Sequence, residues 1–98
     1  MTAEIKNGLI IDDKGNKRWY LNDYLHRIDG PAVEWADGTR EWYLYGLLHR
    51  IDGSAIEWSY GDKQWWLYNH IYPEEEYNHL VSNLPLLYWN RFKEGLWL

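Results

Sequence analysis

The tetrad His26-Arg27-Ile28-Asp29 recurs as His49-Arg50-Ile51-Asp52, and an imidazole three residues from a carboxylate is the arrangement in this chain best suited to chemistry near neutral pH. Each His-Asp pair would exchange a proton, and each arginine would offer a planar fork to an anion. Repetition favours a structural use instead. Arg27 and Arg50 are expected to fork onto a carboxylate or a loop carbonyl, and Asp29 and Asp52 to close their own turns, so that neighbouring units hold together. His26, Arg27, His49 and Arg50 remain the residues that would contact a small ligand. Other chemistry is thin: the hydroxyls of Thr2, Thr39, Ser54, Ser59 and Ser82 sit in no nucleophile elbow, and no glycine-rich phosphate loop is present. Glu34 and Glu57 would have to meet as a glycosidase-like pair, and His26, His49, His70 and His79 would have to converge to hold a metal. No catalytic residue, metal site or cofactor is therefore expected.

The composition narrows the class further. A chain of 98 residues makes one small domain, and eight Trp, nine Tyr and no Cys exclude a disulfide scaffold, thiol chemistry and Cys-based zinc sites. Absence of Cys suits a reducing, cytoplasmic setting, and no apolar run has the length of a membrane span. Fifteen Asp and Glu against ten Lys and Arg argue against direct binding of a nucleic-acid backbone.

Those residues must be positioned by a repeat. Displacing the chain by 23 residues aligns Gly15 with Gly38, Trp19-Tyr20-Leu21 with Trp42-Tyr43-Leu44, Leu25 to Gly30 with Leu48 to Gly53, and Ala32 with Ala55. A third frame keeps Ile56, Trp58, Gly61, Trp65, Trp66 and Leu67 and then diverges, as a capping unit does. Each frame reads as one β-hairpin followed by a loop, with Asp37-Gly38 marking a type I′ turn. Alternation puts Trp19, Trp42 and Trp65, with Trp35 and Trp58, in the core. It puts Tyr20, Tyr43, Tyr45, Trp66 and Tyr68 on the other face with Glu34, Glu41 and Glu57. After the third hairpin, Pro73 reads as a first helical residue and Glu74-Glu75-Glu76 as an acidic first turn, opening a helix to about Ser82 whose apolar side is Tyr77, Leu80 and Val81. A second helix is expected over Leu86 to Lys93, followed by the apolar tail Leu96-Trp97-Leu98. The expected fold is mainly β with C-terminal α: a meander of three repeated hairpins over 10–72, capped by two short helices over 73–98, in a single domain.

The pattern Trp19-Tyr20-Leu21 through Leu25-His26-Arg27-Ile28-Asp29-Gly30-Pro31-Ala32, repeated from Trp42 to Ala55, resembles the 23-residue MORN-type hairpin repeat, in the variant found in small proteins of bacteriophages and large viruses. Asp23 and Asn69 stand where that pattern carries glycine, and Ser54 where it carries proline. The resemblance implies a row of hairpins used as a non-catalytic interaction scaffold, and a phage accessory protein acting in the host cytoplasm.

Tyr and Trp ringed by carboxylates suit a partner rich in Arg and Lys. The preferred expectation is a protein-binding inhibitor of anti-CRISPR type that covers the basic nucleic-acid-binding surface of a host defence protein, with Tyr20, Glu34, Glu41, Tyr43, Tyr45, Glu57, Trp66 and Tyr68 as contacts. The alternatives are a sponge for a small ligand or signalling nucleotide, and a self-assembling scaffold that dimerises through its tail or a sheet edge.

Overall fold

The computed structural model describes residues 4–83. Within them the chain forms β1 (Gly8–Ile11), β2 (Lys17–Leu21), β3 (Tyr24–Leu25), β4 (Val33–Glu34), β5 (Arg40–Glu41), β6 (Tyr43–Leu44), β7 (Leu47–Leu48), β8 (Ile56–Glu57), β9 (Lys63–Leu67), β10 (His70–Tyr72) and one helix, α1 (Glu74–Ser82). The main sheet is an antiparallel meander in the order β1-β2-β4-β5-β8-β9-β10, with β3 also on β2, while β6 and β7 pair apart from it. The expected second helix and the Leu96-Trp97-Leu98 tail lie outside the described residues. No described helix is long and apolar enough to cross a membrane.

The sheet does not reduce to three hairpins, because each frame contains two. The first turns the chain at Gly15, Gly38 and Gly61, whose φ angles are 87°, 97° and 108°. In the middle frame Gly38 N–H donates to the Trp35 carbonyl at 2.9 Å and Trp35 N–H to the Thr39 carbonyl at 2.8 Å, and the same two bonds recur at Asp12/Asn16 and Trp58/Asp62. This is a three-residue loop with a left-handed glycine in third place rather than the expected type I′ turn at Asp37-Gly38. The type I′ geometry belongs to the second hairpin of each frame. Its central residues Asn22-Asp23, Tyr45-Gly46 and Tyr68-Asn69 all have positive φ. These turns reverse β2 into β3, β6 into β7 and β9 into β10, so Tyr45 and Tyr68 sit on turns and not on a strand face.

Register corrects the assignment of faces. Lys17 pairs with Glu34, Glu34 with Arg40, Arg40 with Glu57 and Glu57 with Lys63, so one face carries a ladder of alternating charge. By alternation Trp19 and Trp65 share that face. The opposite face carries Arg18, Val33, Glu41, Ile56 and Gln64 in cross-strand line, and with them Tyr20 and Trp66, while the Tyr43 hydroxyl reaches Glu41 from the separate β6–β7 pair. Glu34 and Glu57 are thus separated from Glu41, contrary to expectation. Alternation within a strand is legible from residue types, but the offset between strands is set by loop lengths, and a one-residue slip exchanges the faces.

The core is also not built as expected. Buried positions are Ala32, Val33, Leu44, Ile51, Ala55 and Ile56 with Tyr77 and Val81 of α1, whereas Trp19, Trp35, Trp42, Trp58 and Trp65 are half-buried. Trp19 N–H donates to the Ala32 carbonyl and Trp42 N–H to the Ala55 carbonyl, both at 2.8 Å, in the crowded strand entries where both alanines are fully buried. Pro73 occupies the N-cap of α1 rather than its first helical position, Tyr77 and Val81 are buried, and Leu80 points largely outward at 36 % exposure.

Candidate functional site

The twin loops after β3 and β7 are built alike around their arginines. Arg27 stacks on Trp19 with its guanidinium carbon 3.8 Å from the ring centre, and Arg50 stacks on Trp42 at 3.9 Å. The Arg27 fork donates to Asp29 at 3.2 Å, the Pro31 carbonyl at 3.1 Å and Glu34 at 3.1 Å. The Arg50 fork repeats this on Asp52 at 2.9 Å, the Ser54 carbonyl at 2.9 Å and Glu57 at 3.2 Å. Three acceptors and an aromatic face use most of what a guanidinium offers, so both arginines are latches within their own loops. Asp29 and Asp52 are held by the arginine rather than closing their turns through their own backbone.

His26 and His49 do not meet these carboxylates. Each reaches across to the next type I′ turn: His26 Nδ1 accepts the Tyr45 N–H and His49 Nδ1 accepts the Tyr68 N–H, both at 2.9 Å. The rings stack at a tilt, with centroids 4.3 Å apart for His26 and Tyr45 and 4.6 Å for His49 and Tyr68. At the N-terminal end the same place is taken by Asn7, whose Oδ1 accepts the Asn22 N–H at 2.8 Å. A backbone donor at Nδ1 requires a neutral ring protonated on Nε2. Burial pushes the His49 pKa down to about 4 and lowers that of His26 in the same direction.

The three glutamates expected to face a partner are engaged internally. Glu34 holds Arg27, and Glu57 holds Arg50, Arg40 and the Ser54 hydroxyl. On the other face Glu41 accepts the Trp35 indole N–H at 2.7 Å and the Tyr43 hydroxyl at 2.8 Å. Burial, reinforced by that glutamate, raises the Tyr43 phenol well above its ordinary value. Arg40 lies between Glu34 and Glu57 in the ladder, so the two carboxylates do not form a glycosidase-like pair. Tyr20 lies under the Lys6 ammonium, 5.2 Å from the ring centre, and Trp66 donates to Gln64 at 3.1 Å. Among the described residues no group of three or more His, Asp or Glu is placed to hold a metal ion.

Sequence reasoning placed Tyr77 on the apolar side of the helix, where it is buried, but missed the role of its hydroxyl. Its hydroxyl donates to the Arg50 carbonyl and accepts the Gly53 N–H at 3.2 Å, which plugs α1 into the second loop. Burial pushes this phenol up to about 12. Beside the first loop a cavity of about 370 Å³ lies open, lined by Arg27, Gly30, Trp42, Leu44, Arg50 and Ile51 among others.

No family model, no curated protein and no solved structure matches this chain.

Proposed function

We propose that the chain is a non-catalytic protein-binding module of the kind a phage would use to occlude a basic, nucleic-acid-binding surface of a host defence protein. The observation that carries this reading is where charge remains available. Among the described residues every arginine, Arg18, Arg27, Arg40 and Arg50, is in an ion pair. The exposed carboxylates Glu74, Glu75 and Glu76 enter none. The exposed lysines Lys6, Lys14, Lys17 and Lys63 enter none either, but they are spread along the first strands and β9, whereas negative charge gathers in three consecutive residues at the start of α1 and recurs at the loop tips, beside exposed Ile71, Tyr60 and Ile28. That combination steers a cationic partner and then offers it apolar contact. The acidic contacts consequently shift from Glu34, Glu41 and Glu57, which hold the sheet together, to Glu74–Glu76 together with Asp29 and Asp52, which stay largely exposed despite their pairing.

The test is capture of a partner from host lysate, followed by reconstitution with that partner purified. A complex whose association slows with salt, and slows further when Glu74, Glu75 and Glu76 are all changed to Lys, supports the reading. A captured protein without a basic surface, or association indifferent to both changes, overturns it.

A further inference from the structure

We propose that the cavity at the turn end of the sheet, lined by Trp35 and Trp58, is a slot for an arginine side chain of the partner protein. Register builds its frame. Trp35 N–H donates to the Thr39 carbonyl at 2.8 Å. The pairing of Glu41 with Ile56 continues to Thr39 opposite Trp58, where Ser59 N–H donates to the Thr39 hydroxyl at 3.1 Å. Two indoles therefore flank one short side chain, on backbones two strand spacings, about 9.5 Å, apart. Trp35, Thr39, Glu41 and Trp58 line a single open cavity of about 500 Å³, with Asp37 and Lys14 beside them. A planar group held between two rings needs walls about 7 to 8 Å apart, which this backbone spacing allows.

Charge selects what enters. Glu41 accepts one donor on each oxygen, the Trp35 indole N–H on Oε2 and the Tyr43 hydroxyl on Oε1. A carboxylate has about four acceptor positions, so Glu41 holds the sheet together and still has positions to offer in the cavity it lines. With exposed Asp37 it sets two carboxylates against the one ammonium of Lys14. The chain displays the matching contact one unit earlier: Arg18 lies over Trp35, 4.9 Å from the ring centre, while paired with Asp12 at 3.1 Å. The 23-residue period carries Arg18 to Glu41 and Trp35 to Trp58, so the second indole has a carboxylate for a neighbour. Among the described residues no cation lies over Trp58. A guanidinium is planar, permanently charged and weakly hydrated, so it meets indole faces and a carboxylate together, which an ammonium or a neutral ring does only in part. This inference rests on the protein-binding reading for the source of the arginine, and gives that basic partner a contact apart from Glu74–Glu76.

The experiment is titration of the ¹⁵N-labelled full chain at constant ionic strength, read at the indole N–H signals of Trp35 and Trp58. Four probes are used: the blocked tripeptides Gly-Arg-Gly, Gly-Lys-Gly and Gly-citrulline-Gly, and cellobiose as an uncharged ring. The expected result is a saturable shift at both indoles with the arginine peptide, with binding about tenfold weaker for neutral, equally planar citrulline and about threefold weaker for lysine. Lys14→Ala removes a competing ammonium from an exposed side chain and should tighten arginine binding about twofold. Trp58→Leu removes one wall and should abolish the shift at Trp35; if that variant does not fold, the citrulline and Lys14→Ala comparisons decide alone. Three outcomes overturn the slot: no saturable shift at either indole, any other probe binding as tightly as arginine, or weaker arginine binding in Lys14→Ala. With a purified partner the two readings separate. A salt-dependent complex indifferent to Trp58→Leu, with silent indoles, defeats only the slot. Arginine binding that persists while association ignores both salt and Glu74–Glu76 defeats only the charge-steering reading.

Discussion

His26 and His49 each accept a backbone N–H at Nδ1, so protonating either ring sets a donor against a donor across a repeat junction. His49 has the larger consequence, because burial holds its folded pKa near 4, below the ordinary value of 6.5. Between those two values the unfolded chain binds the proton and the folded chain does not. Its contribution is complete above about pH 6.5 and is lost as pH falls toward 4. Urea denaturation at pH 7 and pH 4.5 should differ by about 2 to 3 kcal/mol from this group. Asp12, lowered to about 2, acts mainly at more acidic pH, whereas His26, lowered in the same direction as His49, adds its own loss within the window. His49→Asn retains an acceptor, as Asn7 does for Asn22, and should flatten the profile even if the variant is less stable at pH 7. An unchanged slope would assign the pH dependence elsewhere. Arg50 poses a second test at this scale. Arg50→Ala removes three hydrogen bonds and the stack on Trp42, and should cost about 2 to 3 kcal/mol by thermal or chemical denaturation. Arg50→Lys should recover only part of it, because an ammonium cannot reproduce the fork.

The type I′ turns show how an element can hide from its sequence. Gly46 at φ 79° is an ordinary occupant, but Tyr45 at φ 49° and Tyr68 at φ 51° are residues that resist left-handed backbone. Their rings lie on His26 and His49, residues 19 positions earlier, and that tertiary contact offsets the local cost. Gly46→Ala should destabilise by about 1 to 2 kcal/mol, since a Cβ there would be strained in φ and would sit 3.1 Å from the Tyr24 ring. Asn69→Gly gives up only a 3.4 Å contact to Leu48 N–H and should be neutral or slightly stabilising; a clear loss would show that this contact matters more than its length implies. The loops at Gly15, Gly38 and Gly61 were legible because an invariant spacing of glycines marks backbone that only glycine accepts readily. The second hairpins were not, since Asn-Asp, Tyr-Gly and Tyr-Asn share a conformation with no residue type common to all three at either position. For the candidate site, the arginine latch was visible in the repeated tetrad. The Tyr77 plug was not, because it lies in the non-repeated helix and acts on backbone groups that carry no residue signature.

Across the described residues, the repeats share a plan but are not tied down equally. The centre is tied by Trp42 N–H to the Ala55 carbonyl, by Ala55 N–H to the Gln64 carbonyl and by the two arginine latches, around fully buried Ala32 and Ala55. At the N-terminal end β1 pairs on one side only, and all four of its residues are exposed, including Leu9, Ile10 and Ile11. It is clamped by Lys6 and Asn7 on the turn at Asn22-Asp23, through side chains that are themselves in water. Quasi-linear repeats open from their weakest end, so β1 should separate from β2 without global unfolding. Amide exchange measured by NMR should then be at least roughly 100-fold faster in β1 than at Trp42 and Ala55, a gap of about 2.7 kcal/mol in opening free energy. Asn7→Ala should widen that gap by lowering protection in β1, while leaving Trp42, Ala55 and the denaturation midpoint nearly unchanged. If Asn7→Ala instead lowered protection at all three places equally, the sheet would be one cooperative unit. The exposed Leu9-Ile10-Ile11 edge would then be held shut by the whole fold, rather than opening on its own to offer a pairing edge to another chain.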